Sequence, residues 1–380
     1  MTSHKAGDPL EGPLGLVLSG GGARGAFQVG VWEVLRTHDE FNTPLVISGS
    51  SAGSINGYLI AHGLSPSELL EFWLGLAKDP PVRANRGLIA QLLDYRALLD
   101  LVGGSLRQLL HQKRLPSPVN VIAESLELFV THHIDDMTQA LEHTDSAHLF
   151  DTGALTRHLE RATQGRKVSQ DIKLAINAVD VQSGGVVRYV TGSTRHHANS
   201  NQQSYVPCKV ISLDMIAASS AIPLLFNQVQ VGPRHLWDGG VLVNTPIAPA
   251  VALGASRILP VLVSPKPAAH GTSFDSSLGH AVERLADTVL ENAYNADRKL
   301  LLVRNRLIEL EKELLAAERH PAPSGLEQVH LYEPIRPPEA GFDAGSYLCF
   351  EAQALRRMYE AGKEAAQSWL AGKPQRDALC

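Results

Sequence analysis

The stretch Leu45-Val46-Ile47-Ser48-Gly49-Ser50-Ser51-Ala52-Gly53, followed by small and apolar residues up to Ile60, decides the fold of this chain. It predicts a strand, a sharp turn and a helix in immediate succession. A serine at the apex of such a turn is forced outward on a strained backbone, and this strain explains why Gly49 and Gly53 flank Ser51. Its hydroxyl would lie at a helix N-terminus, where N–H groups favour negative charge. The pattern predicts a nucleophile elbow, although a plain glycine- and serine-rich turn has the same sequence.

The composition excludes several classes of protein. The 380 residues are 44% hydrophobic, enough for a large core in one big domain or two smaller ones. A net charge of −5 implies no general attraction to nucleic acid. Three cysteines without a C-x-x-C pair (Cys208, Cys349 and Cys380) do not make a disulfide framework. No apolar run approaches the roughly 20 residues of a membrane span, and no signal peptide is evident, so we expect a cytoplasmic protein.

A second strand–turn–helix pattern precedes the first. Leu14–Ser19 predicts a buried strand, Gly20-Gly21-Gly22-Ala23-Arg24-Gly25 a glycine loop, and Ala26–Thr37 a helix with apolar residues at helical spacing. Leu45–Ser48 would then be the next strand. Together these segments predict a right-handed βαβ unit with a parallel pair of strands.

The glycine loop also satisfies the pattern G-x-G-x-x-G of dinucleotide-binding folds. Such folds place an acidic residue at the end of the second strand, where it binds the ribose hydroxyls. This chain has Ser48 and Gly49 there, and no Gly-Lys-Ser/Thr follows the loop to make a P-loop. The loop is better explained as a donor of backbone N–H groups to another ligand, and a dinucleotide-binding regulator is the weaker alternative.

The remaining segments alternate between helices and strands. Ser65-Pro66-Ser67-Glu68 is a capping box that opens a helix, and Pro80-Pro81 stops it. Residues 82–150 alternate apolar and basic pieces, which suit amphipathic helices that cover the site or contact lipid, or ordinary packed helices. Further predictions are helices at 151–163, 211–220 and 350–370, a hairpin of Ile172–Val181 with Val186–Thr191, and strands at 229–231, 258–264 and 328–332.

The segment from Leu278 to Leu314 carries the most regular pattern of the chain. Its apolar positions are 278, 282, 285, 289, 293, 296, 300, 303, 307, 310 and 314, so ten steps cover 36 residues and average 3.6. This spacing predicts one long helix or two collinear ones within 278–320. A coiled-coil dimer requires a sustained spacing of 3.5, so we expect a helix that lies along the domain.

An exposed serine needs a base before it becomes a nucleophile, and histidine usually supplies it. The histidines after the elbow lie in polar stretches, loops or helix surfaces, and His235 is interpreted as only a neighbour of Asp238. Asp238, followed by Gly239 and Gly240, could accept the proton directly. Its usual pKa of about 3.9 makes it a weak base, which burial beside Trp237 would strengthen. A plain turn is the alternative interpretation of Asp-Gly-Gly.

The three motifs occur in an order that resembles the patatin-like phospholipases. They are Gly20–Gly25, the elbow Gly49–Gly53 and Asp238-Gly239-Gly240, and the similarity extends from about Leu14 to Leu370. The resemblance implies a three-layer α/β/α fold with a central, mostly parallel sheet. It implies hydrolysis of lipid acyl esters without a cofactor or a metal.

The resemblance also implies roles for individual residues. Ser51 would be the nucleophile and Asp238 the general base and acid of a Ser–Asp dyad. The backbone of Gly20, Gly21 and Gly22, with Arg24 adjacent, would form the oxyanion hole, and the glycines at 25, 49, 53, 239 and 240 would support the motifs.

The expected organisation is a disordered leader (1–12), a patatin-like catalytic domain (13–371) with a lid or insert at 82–150, and a polar tail (372–380). The expected partner is a lipid or acyl-ester substrate rather than nucleic acid, with peripheral membrane contact left open. A non-catalytic scaffold at the membrane is a further alternative, and the sequence leaves the oligomeric state undecided.

Overall fold

A computed structural model describes residues 12–79, 153–194, 203–223, 226–265, 278–316, 326–338, 347 and 349–372. The chain divides into two compact units, of which the second is Val82–Thr152 with Pro223–Asn227. Almost all of that second unit lies outside the described residues. The predicted leader, the lid or insert at 82–150 and the tail also lie outside them, apart from Gly12 and Gly372, and stay predictions.

Nine strands are described, and all belong to one sheet. They are β1 (Leu14–Leu18), β2 (Val46–Ser50), β3 (Lys173–Asp180), β4 (Val186–Thr191), β5 (Gln203–Cys208), β6 (Val229–Val231), β7 (Arg234–Asp238), β8 (Arg257–Val261) and β9 (His330–Leu331).

The described helices surround this sheet. They are α1 (Gly25–Leu35), α2 (Ala52–Ala61), α3 (Pro66–Lys78), α4 (Gly153–Thr163), α5 (Leu213–Ser219), α6 (Ile247–Ala252), α7 (Leu278–Ala316) and α8 (Ala352–Ala371). The capping box that opens α3 forms as the sequence predicts: the Glu68 side chain accepts the N–H of Ser65 at 2.8 Å, and the Ser65 hydroxyl accepts the N–H of Glu68 at 3.4 Å.

The strand order is β5-β4-β3-β2-β1-β8-β9. The pairs β1–β2, β2–β3, β1–β8, β8–β9 and β4–β5 are parallel, whereas β3–β4, β3–β7 and β6–β7 are antiparallel. The sheet is therefore mixed but mostly parallel, and the predicted α/β class and βαβ unit are confirmed. The strand β5 was not predicted.

Side chains from the two faces of the sheet belong to two separate hydrophobic clusters. Along β1, Leu16 and Leu18 pack into the larger cluster, which includes residues of α1, α2, α3 and α8. Val17, between them, packs into the smaller cluster with residues of α6 and α7. Successive strand residues point to opposite faces, so this alternation separates the helices into two layers around the sheet. The predicted three-layer arrangement follows.

Helix α7 is one continuous helix of 39 residues, and it contacts the domain through a face that the sequence did not indicate. The side chains of Tyr294, Leu301, Leu302 and Ile308 are at most 5% exposed. Asn305, on the same face, exchanges two hydrogen bonds with the backbone of Val329, at 2.7 and 3.0 Å. The regular apolar stripe found in the sequence lies on the opposite side, and from residue 289 onward it is largely exposed.

No described helix combines the length and the apolar character that a membrane crossing requires.

Candidate active site

Ser51 occupies the sharp turn between β2 and α2. Strand β2 ends at Ser50, α2 begins at Ala52, and Ser51 itself has φ 51° and ψ −123°. Among the described residues it is the only non-glycine residue with a positive φ. Such a conformation costs on the order of 1–3 kcal/mol and persists only where the surrounding structure enforces it.

The glycines beside Ser51 leave no room for a side chain. A Cβ atom at Gly49 would lie 2.4 Å from the backbone of Gly53, and one at Gly53 would lie 2.1 Å from the carbonyl oxygen of Leu18. Strand β1 and the first turn of α2 therefore approach each other backbone to backbone. This close approach holds the elbow rigid.

The strain at Ser51 predicts an unusual effect on stability. Replacing Ser51 with glycine removes the Cβ atom that makes this conformation costly, so Ser51→Gly is expected to be about 1 kcal/mol more stable than Ser51→Ala. Urea denaturation of the two variants measures the difference. Glycine normally destabilises a protein relative to alanine, so a less stable Ser51→Gly would show that the turn is not strained.

Strand β3 brings the end of β2 and the end of β7 together. Strand β2 runs parallel to β3, and its last pair is Ser50 with Asn177. Strand β7 runs antiparallel to β3, and its last residue, Asp238, pairs with Ala178. The two carboxyl ends therefore approach each other along β3 and stop at adjacent positions. This register places Asp238 beside the elbow, although it is remote from Ser51 in the sequence.

Asp238 is buried, with only 3% of its surface exposed. Its Oδ1 accepts the N–H of Gly240 at 2.7 Å, and its own N–H donates to the carbonyl oxygen of Ala221 at 2.8 Å. Burial raises the pKa of the carboxyl to about 7, while hydrogen bonds from the Ser51 side chain and the Gly240 N–H lower it to a smaller extent. A carboxyl with this pKa can exchange a proton near neutral pH.

The last residue of α5 and the turn that follows it hold the backbone of both Ser51 and Asp238. The Ser219 hydroxyl accepts the N–H of Ser51 at 3.2 Å, donates to the carbonyl oxygen of Asn177 at 2.5 Å and lies 2.7 Å from the hydroxyl of Ser54. Two residues later, Ala221 accepts the N–H of Asp238. The sequence indicated only a helix of small residues here, so the role of Ser219 was missed.

The glycine loop lies against Ser51. A Cβ atom at Gly20 would lie 3.0 Å from the Cβ of Ser51, and the N–H of Gly20 donates to the carbonyl oxygen of Asn244 at 3.1 Å. Gly22 has φ 54°, a conformation that favours glycine. The N–H groups of Gly21 and Gly22 have no hydrogen-bond partner within the described part of the chain. These two N–H groups are therefore hydrogen-bond donors without a partner in that part of the chain.

Arg24 is fully buried, and its contacts lie within the protein. Its guanidinium donates to Asp287 at 3.2 Å and to the carbonyl oxygen of Val263 at 3.4 Å, and it stacks 3.6 Å from the ring centre of Tyr347. The Tyr347 hydroxyl donates to the same Asp287 carboxylate. The backbone N–H of Arg24 donates to the carbonyl oxygen of Gly21 at 3.1 Å. Arg24 thus anchors the glycine loop.

The histidine nearest to Asp238 in sequence does not share its environment. His235 lies three residues earlier on β7, so its side chain points to the other face of the strand, where it is exposed. His62, just after α2, is bonded through Nδ1 to the carbonyl oxygen of Tyr58. Within the residues that the structure describes, neither of these two histidines is hydrogen-bonded to the Asp238 carboxyl. In the described part of the chain, no three His, Cys, Asp or Glu side chains come together as metal ligands would.

A family model for patatin-like phospholipases matches residues 16–251, more than half of the chain, including the glycine loop, Ser51 and Asp238. The chain belongs to this family. The predicted family is thereby confirmed, and the patatin-like chain is placed among the lipid acyl hydrolases. No curated protein matches it by sequence.

Several solved structures are similar to the patatin-like chain at low identity. VipD from Legionella pneumophila is 14% identical, with 97% of this chain and 68% of VipD covered and a TM-score of 0.37. ExoU, in its complex with SpcU from the type III secretion system of Pseudomonas aeruginosa, is 15% identical, with 96% and 53% covered and a TM-score of 0.26. The chain therefore spans about half of ExoU.

Proposed function

We propose that the protein hydrolyses fatty-acyl esters of lipids, including phospholipids, through a dyad of Ser51 and Asp238. The family supports the general class of reaction. The dyad is supported by one observation above all. Strand β3 pairs Ser50, the residue just before the strained Ser51, and the buried Asp238, whose pKa is about 7, at the adjacent positions Asn177 and Ala178.

The first half of the proposed reaction forms an acyl-enzyme. Asp238 takes the proton from the Ser51 hydroxyl while Oγ attacks the carbonyl carbon of the ester. The tetrahedral intermediate then collapses, and the protonated Asp238 returns the proton to the departing alcohol, here a lysolipid or glycerol hydroxyl. Asp238 is thus a base and then an acid, which a pKa near neutrality permits.

The second half releases the fatty acid. Asp238, again ionised, takes a proton from a water molecule, whose oxygen attacks the acyl carbon. When the bond to Oγ breaks, Asp238 gives the proton back to Ser51, and the enzyme returns to its starting state.

The N–H groups of Gly21 and Gly22 are the proposed donors to the oxyanion. Neither has a hydrogen-bond partner in the described part of the chain, and the neighbouring Gly20 lies in contact with Ser51. Gly20 and Arg24, the other members of the predicted oxyanion hole, already donate their N–H groups to Asn244 and Gly21. One oxyanion donor typically stabilises the transition state by about 3 kcal/mol.

Labelling with a fluorophosphonate, followed by peptide mass spectrometry, tests this proposal. We expect a single adduct on Ser51 and no adduct in Ser51→Ala, because only an activated serine reacts with the phosphonate. Ser48 is the matched control, because it is buried on β2 and its hydroxyl has no hydrogen-bond partner in the described part of the chain; Ser48→Ala should still be labelled on Ser51. An unlabelled Ser51 would contradict the proposal. Tight dinucleotide binding would then favour the regulator, and liposome binding without turnover would favour the scaffold.

A further inference from the structure

Helix α7 has a second apolar face, which is exposed in the part of the chain that the structure describes. We define the outer seam as Ala293 and Ala296 together with six exposed side chains. These are Val289 (49% exposed), Leu300 (68%), Val303 (41%), Leu307 (61%), Leu310 (38%) and Leu314 (42%). At 3.6 residues per turn, the seam lies on the side of the helix opposite to the buried Leu301, Leu302 and Ile308. A single exposed leucine is ordinary, but a continuous apolar strip of this length indicates an interface.

The spacing of the outer seam is that of a coiled coil. From Val289 to Leu314 the steps are 4, 3, 4, 3, 4, 3 and 4 residues, which are alternating d and a positions of a heptad repeat. The mean of 3.6 over the whole stripe conceals this regularity, because two steps of four follow each other between Leu285 and Ala293. The exposed part alone keeps the repeat for more than three heptads, enough to predict helix pairing.

We propose that the outer seam binds the same seam of a second copy of this chain, with the two helices antiparallel. In that register Ala296 faces Leu314 of the second copy, Leu300 faces Leu310 of the second copy, and Val303 faces Leu307 of the second copy. A two-fold axis repeats these three layers, so six consecutive layers are apolar on both sides. The seam is therefore complementary to itself.

The charged residues beside the seam favour the antiparallel direction. Lys299, Arg306 and Glu313 are exposed along one flank, at g positions. On the other flank, Arg304 is bonded to the carbonyl oxygen of Glu327 in its own domain, at 2.9 Å. Antiparallel pairing sets g against g, so Lys299 meets Glu313 of the second copy on both sides of the axis.

Arg306 meets its own equivalent at the centre of the antiparallel pair. Its charge is balanced within its own helix by Glu309 at 3.1 Å and Glu313 at 3.8 Å. Parallel pairing would instead bring Lys299 of each copy close to Arg304 of the other. These two contacts between like charges would be unfavourable.

The mixed charge also favours a protein partner over a lipid surface. A helix that lies on a membrane has Lys and Arg on its polar face. Here the exposed Glu313 lies beside Leu314 at the end of the seam, and the flank carries both signs. Carboxylates of this kind are repelled by anionic lipid, whereas they pair well with Lys299 of another helix.

Sedimentation velocity of the full chain tests the proposal, which does not depend on the hydrolase activity. We expect a dimer, and we expect Leu307→Glu to raise its dissociation constant at least about 100-fold, since each dimer loses two buried leucines. Lys312→Glu, an exposed change on the same helix outside the seam, should leave the dimer intact. Unchanged circular dichroism would show that both variants fold.

Cysteine cross-linking tests the direction of the helices, in a background with Cys208, Cys349 and Cys380 replaced by serine. A mixture of Leu300→Cys and Leu310→Cys chains should form a disulfide-linked dimer. Neither should cross-link alone, because equivalent positions are about 15 Å apart along the antiparallel pair. A monomer at all concentrations, a dimer that survives Leu307→Glu, or monomers that bind liposomes through the seam would each overturn the proposal. Cross-linking of Leu300→Cys alone would overturn its antiparallel form.

Discussion

Replacing Asp238 with asparagine is expected to lower kcat on a p-nitrophenyl acyl ester by about 10⁴-fold or more, with the fold intact by circular dichroism. Asparagine keeps the shape of the side chain and can still accept the N–H of Gly240 through its amide oxygen. It cannot take a proton from Ser51. The fall in kcat therefore measures the loss of the base, because the substitution keeps the geometry of the turn.

Two further variants make this result specific. Ser51→Ala is expected to lose as much activity as Asp238→Asn, and the double variant no more than either, because residues that act as one unit are not additive. Asp214→Asn, at an exposed aspartate in the first turn of α5, is the matched control and should keep full activity. An active Asp238→Asn would exclude the dyad and direct attention to a histidine.

The second large effect concerns stability. The Asp238 carboxyl has a pKa of about 7 in the folded protein, against 3.8 for an exposed aspartate. Between these two values the folded state binds more protons than the unfolded state, so this group makes the protein less stable as the pH rises. Asp238→Asn does not titrate. Relative to the native protein, the variant should gain up to about 4 kcal/mol between pH 4 and pH 8, at about 1.4 kcal/mol per pKa unit.

Urea denaturation of both proteins across this pH range measures the effect. The difference between their free energies of unfolding is the useful quantity, because groups common to both cancel, including Asp297, whose pKa is raised to about 6. A difference that does not change with pH would show that the Asp238 carboxyl has an ordinary pKa. In the native protein, kcat/KM should fall as the pH is lowered, with a midpoint near pH 7, because the Asp238 carboxyl becomes protonated there.

Two central strands of the fold, β1 and β8, could be predicted from the sequence because they are short, mainly apolar runs. Strands β1 and β8 are buried on both faces, so each is a short apolar run next to a glycine loop or a helix. Strand β5 has the sequence QSYVPC and lies at the end of the strand order, beside β4 alone. An edge strand tolerates proline and polar residues, which left it without a recognisable pattern.

The apolar periodicity of helix α7 predicts the helix but not the face by which it packs on the domain. The regular stripe correctly indicated a helix, but the domain buries a less regular set that includes Tyr294 and Asn305. Both faces carry apolar residues, so the sequence alone cannot tell which face packs on the sheet. The burial of Leu301 and Leu302 and the hydrogen bonds of Asn305 with Val329 show which face it is.

The motifs located the candidate site more completely than they explained it. Ser51, Asp238 and the glycine loop lie side by side, as the motifs require. The contact of Ser219 with the Ser51 N–H has no sequence signature, because any small polar residue on a helix looks alike. The sequence also could not show that Arg24 is bonded to Asp287, which lies far away in the chain.

Strand β3 has a consequence for how this protein can vary. Because β2 and β7 both end against Asn177 and Ala178, the distance between Ser51 and Asp238 is set by the pairing of three strands and by the backbone contacts of Ser219 and Ala221. The length of the segments that connect these elements does not affect this distance. A segment such as 80–152 can therefore change in length while Ser51 and Asp238 keep their spacing.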